Sequence, residues 1–172
     1  MEAFARLVRG ISLAAGLLAA ALLAAAVVVV CQMVFIRYLL GASTVWQTEF
    51  VTYALVATTF LGSPYVLLLR GHVMVDLLPH YLGRRGRFLL ALLANLLTLL
   101  FCLALFWQAA LYWTETWVEG WTTDTVWALP LWIPVLPLPV GAFLLVLQLL
   151  ADLGLLLSGR AEPFGKAGSS AL

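Results

Sequence analysis

Along the chain, apolar residues gather into four long runs, and charged residues collect in the gaps between them. The runs span about 11–36, 47–69, 88–112 and 131–157, and the first is interrupted only by small residues and Gln32. Crossing a hydrocarbon core takes roughly 20 residues in a helix. Inside that core no water is present to satisfy peptide groups, so a spanning run must be a helix or part of a closed barrel. Barrel strands would read as segments of about ten residues alternating in polarity, and these runs do not alternate. The pattern predicts an all-α membrane protein with four transmembrane helices. They form a single domain over residues 1–158, followed by a flexible cytoplasmic tail over 159–172.

Local signals refine each helix. Arg6 and Arg9 precede the alanine-rich first run as they would in a secretory signal peptide. The run is too long for that, however, and continues through "VVVVCQMVF" without a small-residue cleavage site. Pro64 is expected to bend helix 2. Prolines 130, 134, 137 and 139 predict a kinked or extended entry to helix 4, with regular helix resuming near Gly141. Trp113, Trp117 and Trp121 fall on one helical face and Glu115 and Glu119 on another, which predicts an amphipathic continuation of helix 3 along the outer surface.

Composition agrees with the pattern. Of 172 residues, 65% are hydrophobic and 10% charged, and the mean hydropathy is +1.08. A water-soluble domain would need far more charge to cover its surface. A net charge of +1, with no basic aromatic motif, gives no basis for nucleic-acid binding. Cys31 and Cys102 lie within apolar runs, outside any CxxC pair, and read as small buried hydrophobes rather than a disulfide or metal site.

Charge also predicts orientation. Arg6, Arg9, Arg70, Arg84, Arg85, Arg87, Arg160 and Lys166 fall on one side of the four helices, and Arg37 alone on the other. The positive-inside rule places both termini and the 70–87 connection in the cytoplasm. The opposite side holds Glu49, Glu115, Glu119 and Asp124 with most of the tryptophans. Those indoles suit a headgroup belt, and Trp113, Glu115, Trp117, Glu119 and Asp124 also suit a protein-docking face.

The charged stretch "LLLRGHVMVDLLPHYLGRRGR" alternates apolar clusters with arginines, as an amphipathic segment in the inner interface between helices 2 and 3 would, touching membrane lipids. His72 and Asp76 are four apart and can pair on a helical turn. With His80 they have metal-like spacing, but Pro79 interrupts it, and no nucleophile lies near, so structural pairing is the stronger reading. Arg37 and Glu49, at the outer ends of helices 1 and 2, are expected to pair with each other or with a partner subunit, because an unpaired charge facing lipid is costly. Asn95, Thr98 and Gln108 read as interhelical hydrogen bonders.

The segment "FIRYLLGASTVWQTEFVTYALVATTFLGSPYVLLLRGHVMVDLL" resembles the small membrane subunit of tripartite ATP-independent periplasmic (TRAP) transporters, the DctQ-like family. The matching elements are Arg37 and Tyr38 at the end of helix 1, Trp46 and Glu49 opening helix 2, Gly62 within it, and Arg70, Gly71, His72 and Asp76 closing it. "TTDTVWALPLWIPVLPLPVG" resembles the family's entry to helix 4. Thr48 and Thr52 stand where the family often has an acid and an arginine, which thins the charge network there. The resemblance covers residues 25–150.

That resemblance implies a non-enzymatic subunit without cofactor or metal, resident in the bacterial inner membrane. Its partners would be a large membrane subunit (DctM-like), which carries an organic acid inward with sodium, and a periplasmic substrate-binding protein (DctP-like). The small subunit would enlarge the fixed scaffold. Arg70, Gly71, His72 and Asp76 would shape the inner turn, while Arg37, Trp46 and Glu49 would tie helices 1 and 2 and contact the large subunit. Two rivals differ in class. A self-sufficient homo-oligomeric transporter or channel would need an ionisable group deep in a helix, and helix 1 offers none before Arg37. A membrane enzyme would need paired cysteines or a nucleophile with its base.

Overall fold

The computed structural model describes residues 2–69 and 84–157. Helix α1 runs Glu2–Phe35 and ends in a wider π turn, Ile36–Leu40, which Gly41 closes in the left-handed conformation (φ 60°). Then come α2, Val45–Leu68, and α3, Arg84–Val118. A short α4, Trp132–Val135, leads into α5, Pro137–Leu157. Among the described residues, four helical spans are long and apolar enough to cross a membrane. At 1.5 Å per residue, α1 and α3 each reach about 50 Å, well beyond a hydrocarbon core of about 30 Å. They therefore begin or end outside the apolar runs that announced them. Helix α1 starts at Glu2 rather than near residue 11, and α3 extends past residue 112 to Val118.

Among the described residues the helices form an open array. Helix α5 touches α1, α2 and α3, whereas the α3 helix meets only α4 and α5. Tight packing concentrates along α1 and α2. Ala15, Ala19 and Ala26 are buried, and a Cβ on Gly16 would lie 2.5 Å from the Tyr65 ring. Thr58 Oγ1 donates to the Ala19 carbonyl at 3.2 Å. Lipid tails are as apolar as leucine, so helices in a bilayer associate through small residues that let backbones approach and through interhelical hydrogen bonds.

Pro64 lies buried within α2, and the helix continues through it. Having no N–H, it leaves the Phe60 carbonyl, four residues earlier, without its helical donor. Gly141 of α5 packs onto that same carbonyl so closely that a Cβ there would overlap it. The freed acceptor and the missing side chain thus coincide. Nearer the chain termini, Ser12 Oγ donates to Gln148 Oε1 at 3.3 Å and Gln148 Nε2 donates to Asp152 Oδ1 at 3.4 Å. Ser12 is 0% exposed and Gln148 4%, so α1 and α5 share a buried polar link.

Several expectations are corrected. Regular helix resumes at Pro137, not Gly141, because proline is tolerated in a first turn where the N–H groups have no helical acceptor; the α4 turn precedes it. Cys102 is buried but Cys31 is exposed, on a face of α1 that no described helix covers, and both are free. Thr98 bonds to the Ala94 carbonyl of its own helix rather than to a neighbour. Asn95 Oδ1 is buried without a hydrogen-bond partner among the described residues, and Gln108 is exposed. The interfacial segment expected between helices 2 and 3, with Arg70, Gly71, His72, Asp76 and His80, lies outside the described residues, as does the tail 159–172.

Candidate functional site

The polar groups at the end of α1 and the start of α2 form two separate arrangements, one of which reaches the 119–131 connection. Thr44, just before α2, is buried and accepts a hydrogen bond from Arg37 Nη2 at 3.2 Å. One turn on, Thr48 Oγ1 lies 3.0 Å from the Thr44 carbonyl and 3.5 Å from Met33 Sδ on α1. Arg37 and Thr48 thus join the two helix ends.

Glu49 does not take part in that join. It is 9% exposed and turns toward the loop, where Thr123 Oγ1 donates to Oε2 at 3.4 Å and Thr125 Oγ1 donates to Oε1. Of the two expectations, pairing with each other or with a partner subunit, the Arg37–Glu49 pair is not formed among the described residues. Arg37 bonds to Thr44 at the corner itself, whereas the hydroxyls that receive the carboxylate come from 74 and 76 residues away.

The loop is shaped to present those hydroxyls. Helix α3 ends at Val118, and Gly120 turns the chain with φ 64°, a conformation that glycine adopts without Cβ strain. Thr122 and Pro130 pair as an antiparallel bridge. Thr123 N–H donates to the Leu129 carbonyl at 2.9 Å and Leu131 N–H to the Trp121 carbonyl at 2.8 Å. Thr123 Oγ1 accepts from Leu129 N–H at 3.0 Å, which leaves its own proton for Glu49. Ala128 closes the tip at φ 44°. The result is a small hairpin latched to α2 through one carboxylate.

Aromatic contacts brace this hairpin. Trp113 Nε1 donates to the Trp132 carbonyl at 3.1 Å, and the Trp117 ring meets Trp132 edge-on at 4.7 Å between centroids. Trp46 meets Trp127 at 6.5 Å. Trp121 does not extend the Trp113–Trp117 face, because the helix has already ended. Its indole N–H donates to Glu119 Oε2 at 2.9 Å and its ring meets Tyr112. The expected surface continuation of helix 3 is the unbroken end of α3 itself. Glu115, Trp117, Glu119 and Asp124 are exposed.

Between the hairpin and α2 lies a cleft of about 500 Å³, lined by Glu49, Tyr53, Trp121, Thr122, Thr123, Asp124, Thr125 and Leu131. A second hollow, of about 360 Å³, runs along the α1–α2 seam beside Gly16, Thr58, Gly62 and Tyr65. Among the described residues no three His, Cys, Asp or Glu side chains gather as a metal site would require. Sequence reasoning found Glu49 but not its partners Thr123 and Thr125. The signal was the run "TTDT", whose hydroxyls had no apolar periodicity to explain them. Ser12 and Gln148 were missed because each sits singly in an apolar run.

No curated protein matches the chain significantly. The family model described as "Tripartite ATP-independent periplasmic transporters, DctQ component" matches residues 26–159. That range takes in the helix 1–2 corner, Glu49, the hairpin and all of α5, so the chain belongs to the DctQ family, the small membrane component of TRAP transporters.

Proposed function

We propose that this chain is the stationary small subunit of a TRAP transporter in the bacterial inner membrane, with both termini cytoplasmic. It holds a DctM-like large subunit that carries an organic acid inward with sodium, the solute being delivered by a DctP-like periplasmic protein. The observation that carries this reading is where the polar side chains go. Thr58, Ser12, Gln148, Thr48 and Glu49 all bond within the chain, helix to helix or helix to loop. A sodium and carboxylate site calls instead for broken helices whose freed carbonyls face a cavity. Here the carbonyl freed by Pro64 is covered by Gly141.

On this reading Arg37, Trp46 and Glu49 secure the loop end, and Arg70, Gly71, His72 and Asp76 shape the cytoplasmic turn between helices 2 and 3. Trp113, Glu115, Trp117, Glu119 and Asp124 face the binding protein. The apolar flank of α3, with Leu93, Leu96, Leu97, Leu100 and Phe101 exposed, lies against the large subunit or lipid. Affinity purification of this chain in mild detergent, after co-expression with the large subunit, should recover a stoichiometric pair. Recovery of this chain as a lone homo-oligomer would count against the scaffold role.

A further inference from the structure

The Glu49 cleft contains a charge whose hydrogen bonds do not neutralise it. Glu49 is 9% exposed, and its hydrogen-bond donors are two neutral threonine hydroxyls. Among the described residues no Lys, Arg or His lines the cleft, and Arg37 donates to Thr44 rather than to Glu49. A buried carboxylate without a cation is costly, and here it faces an open hollow instead of a sealed core. The walls add to the demand for positive charge. Tyr53 and Trp121 supply aromatic rings, which attract cations, and Asp124 adds a second carboxylate at the mouth.

We propose that this cleft is the receptor for one arginine or lysine side chain of the periplasmic binding protein, with Glu49 as the buried counter-ion and Asp124 as the guide at the rim. The proposal rests on the scaffold reading above and adds to it the chemistry of docking. The lip explains why the occupant is soluble. It is formed by the hairpin beyond the helix ends, where Asp124 is exposed and Val126 is 97% exposed. A membrane partner would instead approach the apolar helix flanks. A guanidinium would stack on the ring wall while donating two N–H groups to the carboxylate.

The test uses membrane complexes of this chain with its large subunit, held in nanodiscs, and measures capture of the binding protein at several salt concentrations. Glu49→Gln keeps the size of the side chain and removes the charge. Asp124→Asn, on the exposed rim, guards against a folding defect at Glu49. The expected outcome is capture weakened about tenfold by Glu49→Gln and a few-fold by Asp124→Asn. The large subunit should be retained in both, and salt dependence should be shallower than in the wild type. Unchanged capture by both variants would overturn the proposal. So would loss of the large subunit on Glu49→Gln, because the cation would then come from the membrane partner. If the wild-type chain holds no large subunit, the scaffold reading falls, and this assignment with it.

Discussion

The α1–α2 seam and the α3 helix belong to the same chain but are built on different plans. Along α1 and α2, glycine and alanine bring backbones together, threonine crosses to a neighbouring carbonyl, and α5 closes onto α2 through Gly141. Helix α3 is held by side-chain packing on α5 instead. Cys102 forms a small core with Val146 and Leu149 of α5, and Phe106 meets Phe143 at 5.6 Å. Only 6% of α3's apolar stretch is buried, against 17% and 22% in the α1 and α2 spans and 39% in the α4–α5 span. The difference teaches which part of the molecule is fixed by its own contacts. Helices α1, α2 and α5 meet in backbone-level contacts, whereas most of the α3 surface is left uncovered among the described residues.

Substitutions should separate the two plans. The largest effect is expected from Gly141→Leu, which drives a side chain into the Phe60 carbonyl and cannot be relieved by a rotamer change. Overpacking of this kind costs about 3 kcal/mol, and thermal unfolding in detergent should show a clear fall in Tm. Next comes Thr125→Val, which deprives the Glu49 carboxylate of a donor. A hydrogen bond to a charged group contributes about 2 kcal/mol, and proteolysis of the 119–131 hairpin should accelerate alongside the loss of Tm. Ser12→Ala breaks the buried link to Gln148 and should cost about 1 kcal/mol, the scale of interhelical hydrogen bonds in membranes. Smallest of all, Leu97→Ala on the open flank of α3 should shift the stability of the isolated chain by less than about 0.5 kcal/mol. If Leu97→Ala destabilised the isolated chain as much as Gly141→Leu, the contrast between the two plans would be wrong.

What the sequence disclosed follows from how far each signal reaches along the chain. Four helices were legible because a run of apolar residues is a local property, and the bilayer allows such a run few alternatives. The family was legible because Arg37, Trp46, Glu49 and the proline-rich entry stand in a fixed order. The partner of Glu49 was not legible, since Thr123 and Thr125 come from a turn more than seventy residues away, and no periodicity ties a loop hydroxyl to a helix. The exposure of Cys31 depends on which face of α1 meets α2. That choice is set by Gly16 and the buried alanines, in a run where nearly every residue is apolar. The restart of helix at Pro137 is not legible within a cluster of four prolines, although two of them occupy positions in a first turn where they do no harm.

The central claim is that this chain supports transport without carrying solute. Its most direct test is sodium-driven organic-acid uptake into proteoliposomes, measured with this chain alone, with the large subunit alone, and with both, in the presence of the binding protein. The account predicts uptake only when both membrane subunits are present. Gradient-driven uptake by this chain alone would contradict it.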